Sequence, residues 1–162
     1  MKATPEAIDD FLCKLAGTPH RIAIFCSDLE GNQYYFKPDK KTWSVNENLA
    51  HLRACADVWG KSIEVMLDKD LPTIPHLSPR TWIRKTNYPS LPFHESLGAF
   101  RDQRRQLLDK LENLDFVDWS RGALIKGRQH TIFSQARRMA LHETTHCEQV
   151  EALIESIRTQ QG

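Results

Sequence analysis

Trp43-Ser44-Val45-Asn46-Glu47-Asn48-Leu49-Ala50-His51-Leu52 is the stretch that decides how this 162-residue chain folds. Ser44 and Glu47 stand three residues apart, the spacing of a capping box. In that arrangement the hydroxyl accepts the N–H of the third helical residue, and the carboxylate accepts the N–H of the cap itself. A helix therefore starts at Val45. Beyond it, apolar or small residues recur at Val45, Leu49, Leu52, Ala56, Trp59, Ile63 and Met66. Steps that alternate four and three are those of a helix packed along a bundle seam. The opposite face carries Arg53, Asp57, Lys61 and Glu64 and is expected to see water.

The same reading extends outward in both directions. Pro5 to Leu29 reads as helix, with an interruption expected at Gly17-Thr18-Pro19, where glycine and proline both resist continuation. Gly31-Asn32 supplies a turn, and Lys37 to Lys40 a short loop. From Leu71 to Phe93, prolines at 72, 75, 79, 89 and 92 forbid a continuous helix. That segment is a long crossover, and connections of such length are often functional. A third helix is expected from about Glu95 to Leu114, with Leu97, Phe100, Leu107, Leu108, Leu111 and Leu114 on its apolar side. Between Asp118 and His130, Gly122 and Gly127 bracket a short apolar run that fits either irregular backbone or a small hairpin. The last helix runs from about Thr131 to Arg158, with Ile132, Ala136, Met139, Val150, Leu153, Ile154 and Ile157 at helical spacing. Four main helices and a proline-rich crossover predict an all-α four-helix bundle, one domain over residues 1–162.

Composition narrows the function. Lys and Arg total 22 against 21 Asp and Glu, a net charge of +1. A nucleic-acid binder would carry a basic excess to neutralise phosphates, so no nucleic-acid partner is expected. The cysteines at 13, 26, 55 and 147 form no C-x-x-C pair, and the chain is not the short, cysteine-dense type. They read as free thiols of a reducing compartment. The N-terminal residues lack a secretory apolar stretch, and no run is long enough to cross a bilayer. The expectation is a soluble cytoplasmic protein with no membrane partner.

The chemistry lies in the last helix, at His142-Glu143-Thr144-Thr145-His146. Histidines at i and i+4 sit one turn apart on one side, so both imidazoles reach the same ion. The alternative is a pair hydrogen-bonded to side chains or water. On the second helix, His51 lies away from Arg53, Asp57 and Lys61, in a weakly polar strip with Asn48, Cys55, Val58 and Ser62. Taken alone it reads as a hydrogen-bonded histidine; its weight comes from combination with the pair. Cys55, one turn after His51, has two readings: a thiolate ligand or a small buried apolar group. Glu143 also has two: a partner or general base for a metal site, or a carboxylate paired with an arginine of the third helix such as Arg104.

The run from Trp43 to Leu52 resembles the W-S-x-x-E-x-x-x-H-L segment of the DinB-like superfamily, and His142-x-x-x-His146 resembles its second hallmark. With the crossover and third helix in order between them, the similarity covers nearly the whole chain. It implies a small four-helix bundle holding one divalent metal ion through His51, His142 and His146. Zinc or nickel is implied first; imidazole ligands also suit iron and manganese. Relatives with assigned activity include metal-dependent thiol S-transferases and a thiol-dependent isomerase. The resemblance thus implies a metal-dependent enzyme acting on a small molecule, among which low-molecular-weight thiols come first, and a homodimer.

His142 to His146 also reads H-E-x-x-H, the pattern of zinc hydrolases in which glutamate activates water. The metzincin extension is missing here, and the 16 residues that follow His146 read as the same helix, where a gluzincin would carry its third ligand on a separate one. A metal-dependent hydrolase with Glu143 as base stands as one rival reading. A non-catalytic helical metal-binding module stands as the other.

Overall fold

The computed structural model describes residues 2–160. Its long helices are α1 (Pro5–Phe25), α2 (Val45–Asp68), α4 (Phe93–Leu111) and α5 (Ile132–Thr159), and a short α3 (Pro79–Ile83) interrupts the crossover. The strands β1 (Thr73–Ile74), β2 (Gly122–Ile125) and β3 (Arg128–Thr131) add a small sheet. The bundle expected from periodicity is therefore present. Helix α1 packs against α5 and α4, and α2 packs against the same two. Consecutive helices α1 and α2 thus face each other across the bundle diagonal, as do α4 and α5.

Helix α2 begins where the capping box put it. Ser44 Oγ accepts from the Glu47 N–H at 3.1 Å, and Glu47 Oε2 accepts from the Ser44 N–H at 2.8 Å. All seven residues of the predicted stripe, from Val45 to Met66, are buried. On α5, Thr131 and Ser134 form a second capping box, and the seven predicted apolar positions are likewise buried.

Two expectations are corrected, and one that was left open is resolved. Helix α1 does not break at Gly17-Thr18-Pro19; it runs unbroken to Phe25, with Pro19 inside it. Proline removes one donor of the i to i−4 ladder, but Thr18 and Pro19 both lie on the buried face with Leu15 and Ile22. Packing against α4 and α5 overrides the local cost, and Thr18 Oγ1 donates to the Lys14 carbonyl at 3.0 Å. Secondly, the Arg53–Asp57 side of α2 is covered. Arg53 is buried, donates to Ser96 Oγ at 3.1 Å and lies 3.8 Å from the Tyr88 ring centre. Asp57 accepts from Trp82 Nε1 and from the Tyr88 hydroxyl, both at 2.7 Å. The crossover folds back onto that face, and these bonds hold it there. Lys61, one turn further on, is exposed.

Of the two forms that fitted the segment from Asp118 to His130, the small hairpin is the one present. Strands β2 and β3 pair antiparallel with Ile125 opposite Arg128, leaving Lys126-Gly127 as a two-residue loop. Both residues have positive φ, +51° and +70°, as a loop twisted to match its strands requires. Strand β1 of the crossover adds parallel to β2, with Thr73 opposite Leu124 and Ile74 opposite Ile125. At the other end of the hairpin, Gly122 sits where a Cβ would meet the His130 carbonyl oxygen at 2.5 Å. Gly122→Ala should therefore cost about 1–3 kcal/mol by overpacking. Urea denaturation checks this; an unchanged midpoint would show that the hairpin yields freely.

Candidate metal centre

Helices α2 and α5 are neighbours in the bundle, and each sends histidine into their seam. His51 lies two turns into α2, at a register fixed by the Ser44 cap. His142 and His146 lie one turn apart on α5. His142 Nε2 is 3.3 Å from His51 Nε2 and 3.2 Å from His146 Nε2. The three residues form a group whose ligand atoms all lie within 4.8 Å of one another. His51 and His146 are buried, and His142 is half-buried.

The hydrogen bonds decide which way the rings present their lone pairs. Asn48 Nδ2 donates to the carbonyls of Ser44 (3.0 Å) and Trp43 (3.4 Å), which leaves Asn48 Oδ1 as an acceptor. His146 Nδ1 lies 2.9 Å from that oxygen and must be the protonated nitrogen. Its Nε2 then carries a bare lone pair pointing at the other rings. Burial, reinforced by the charges of His146 and Arg80, pushes the His51 pKa down to about 4. Burial, then His146, His51 and Arg138, pushes that of His142 down to about 3. His146 is also lowered, chiefly by burial. Near neutral pH these are neutral imidazoles.

Neutral ring nitrogens facing each other at 3.2–3.3 Å repel unless a proton or a cation lies between them. A tetrahedral ion with nitrogen ligands at about 2.0–2.1 Å would separate those nitrogens by about 3.4 Å. The donor set therefore fits a divalent ion bound by imidazole. Indoles wall the group on two sides. The Trp43 ring lies nearly parallel to His146, with centroids 6.0 Å apart, and Trp59 meets His142 edge-on at 5.0 Å.

Glu143 is not in this group. Its carboxylate is buried, 1% exposed, and forms an ion pair with Arg104 of α4 across the bundle diagonal. Burial pushes its pKa up, while Arg104 pulls it down. The arginine partnership expected as one reading of Glu143 is present in the structure. Cys55 Sγ lies 3.4 Å from His51 Nε2 yet outside the histidine group, and burial pushes its pKa up to about 12. It behaves as a small buried thiol. Cys147 borders a different cavity with Gly17, Arg21 and Phe25 of α1. His94 approaches Tyr34, and His76 lines a cavity beside the centre.

Sequence reading missed Asn48 as the residue that fixes the His146 tautomer, and missed Trp43 and Trp59 as walls. The available signals were weak: Asn48 precedes His51 by one turn, and Trp43 directly precedes the cap.

Among the described residues, no helix is long and apolar enough to cross a membrane. No curated protein matches the sequence. Among solved structures, YfiT from Bacillus subtilis, described as a probable metal-dependent hydrolase with an unusual four-helix bundle topology, is similar with a TM-score of 0.84. The match covers 96% of this chain and 90% of that one at 14% identity, a likeness of fold. The family model of the DinB superfamily matches residues 14–150. Sequence match and bundle agree: this chain belongs to the DinB superfamily.

Proposed function

We propose that this chain is a metal-dependent enzyme in which His51, His142 and His146 hold one divalent ion and leave at least one coordination position for a small molecule. The observation that carries the reading is the convergence of three imidazoles, with His142 Nε2 at 3.3 Å from that of His51 and 3.2 Å from that of His146, whose tautomer is fixed. Three protein ligands with an open position is the pattern of a catalytic centre, whereas structural centres are closed by four. When bound, such an ion polarises an oxygen or sulfur ligand and brings its pKa towards neutrality. The half-buried His142 marks the side from which substrate would enter. The Trp43 ring covers His51 and His146 on another side.

The nucleophile is a small thiol or a water. Transfer to or from a thiol follows from the family resemblance, and hydrolysis is supported by the description given to YfiT. Zinc and nickel suit the imidazole set first. For Glu143 we favour a structural role, because its carboxylate is committed to Arg104. Glu143→Gln tests this: metal kept with activity lost would restore the general-base reading. A cytoplasmic homodimer is the state we expect.

The deciding experiment loads the protein with zinc or nickel and offers glutathione with an electrophile, and separately an activated ester. Turnover of either, lost on chelation, supports the enzyme reading; neither, at full metal occupancy, would favour the non-catalytic module. Asn48 supplies a further test. Asn48→Leu removes the acceptor that orients His146 and should lower metal affinity about 10–100-fold without abolishing it. Competition with a chromophoric chelator measures this, and an unchanged affinity would refute the orienting role.

A further inference from the structure

Beside Trp59, and bordered by none of the three histidines, is a cavity of about 310 Å³ lined by α2, the crossover, the hairpin and α5. Its walls are mostly apolar, with Trp59, Val65, Leu77 and Trp82 among them. Cavities of this size and character hold small organic ligands. Its charges are unequal. Arg138 and Lys61 border it against a single acid, Asp57, which is committed to Trp82 and Tyr88. Arg138 is exposed, lies 4.5 Å from the centre of the Trp59 ring, and pairs with no carboxylate among the described residues. Trp59 therefore links the two features, packing perpendicular to His142 with centroids 5.0 Å apart and lying beneath the Arg138 guanidinium.

One further group points to a ligand. Gln135 borders the cavity, is 1% exposed, and its Oε1 has no hydrogen-bond partner among the described residues. A buried acceptor left open is costly unless something donates to it.

We infer that this cavity is the substrate-recognition pocket, and that it takes a small organic anion. That molecule has an apolar body of about one ring, a hydroxyl or N–H that donates to Gln135 Oε1, and an anionic group that pairs with Arg138. The substrate role rests on the metal-dependent reading proposed above, while the binding itself needs no metal and is tested without it.

The probe is 3-(4-hydroxyphenyl)propanoate, compared with its uncharged amide, by isothermal titration calorimetry on native protein with and without chelator. The acid is expected to bind about tenfold more tightly than the amide, with or without metal. Arg138→Gln, at an exposed position, should erase that difference while leaving amide binding unchanged. Val65→Phe should fill the cavity and abolish both. Equal affinity for acid and amide, no binding of either, or binding that survives Val65→Phe would overturn the assignment. Acid binding that vanishes on chelation and ignores Arg138→Gln would also overturn it, by putting the anion on the ion, and would leave the metal-dependent reading standing. Arg138-dependent binding to a protein that holds no metal would do the reverse.

Discussion

Replacing Arg104 with leucine should destabilise the protein by about 3–5 kcal/mol. The variant leaves the Glu143 carboxylate at 1% exposure with no counter-charge, in a part of the core where water cannot reach it. Removing one partner of a buried pair is costly because the charge left behind keeps its desolvation penalty and loses its compensation. The pair itself adds little net stability by the same reasoning. The double variant Arg104→Leu with Glu143→Leu should therefore recover most of the loss. Chemical denaturation of the native, single and double variants measures this directly. A single variant within about 1 kcal/mol of native would mean that Glu143 is not held by Arg104 in solution, and would reopen its candidacy as a base.

The second large effect comes from the ion. Anything that binds the folded state alone adds stability that grows with its concentration, by about 4 kcal/mol at a thousandfold excess over Kd. Metal-saturated protein should lose about that much on chelation, read as a fall in the denaturation midpoint. His146→Ala should show no response to chelator, because it lacks a ligand whose lone pair Asn48 already aims at the centre. It should unfold near the midpoint of chelated native protein. A native midpoint indifferent to both metal and chelator would mean that the three rings are held by hydrogen bonds among themselves.

The legible and illegible parts of this molecule divide along a physical line. What depends on one element was readable: the Ser44–Glu47 cap, the stripe from Val45 to Met66, and the i, i+4 spacing of His142 and His146 all follow from helical geometry alone. His51 became readable as part of a site only in combination with that pair. What depends on how elements fold over one another was not readable. Arg53 and Asp57 sit on the polar face of α2, and helical period cannot reveal that Tyr88 and Trp82 return to cover them. Pro19 carries a strong local signal for a break, and only packing against two neighbouring helices defeats it. The contact between Asn48 and His146 joins residues 98 apart in sequence. Its consequence, a fixed tautomer, rests on bonds from the amide nitrogen that no spacing rule encodes. The hairpin fell between these cases: Gly127 marked its loop, but Lys126 with positive φ gave no sign of it.

The central claim is that His51 completes a metal centre with the two histidines of α5. Its most direct test is the metal content of protein purified without added metal or an affinity tag, native against His51→Ala. Native protein with about one divalent ion per chain, and a folded His51→Ala variant with far less, is the result expected of a three-histidine centre. Equal metal content in the two would contradict it, and so would a native protein that holds no ion and takes up neither zinc nor nickel.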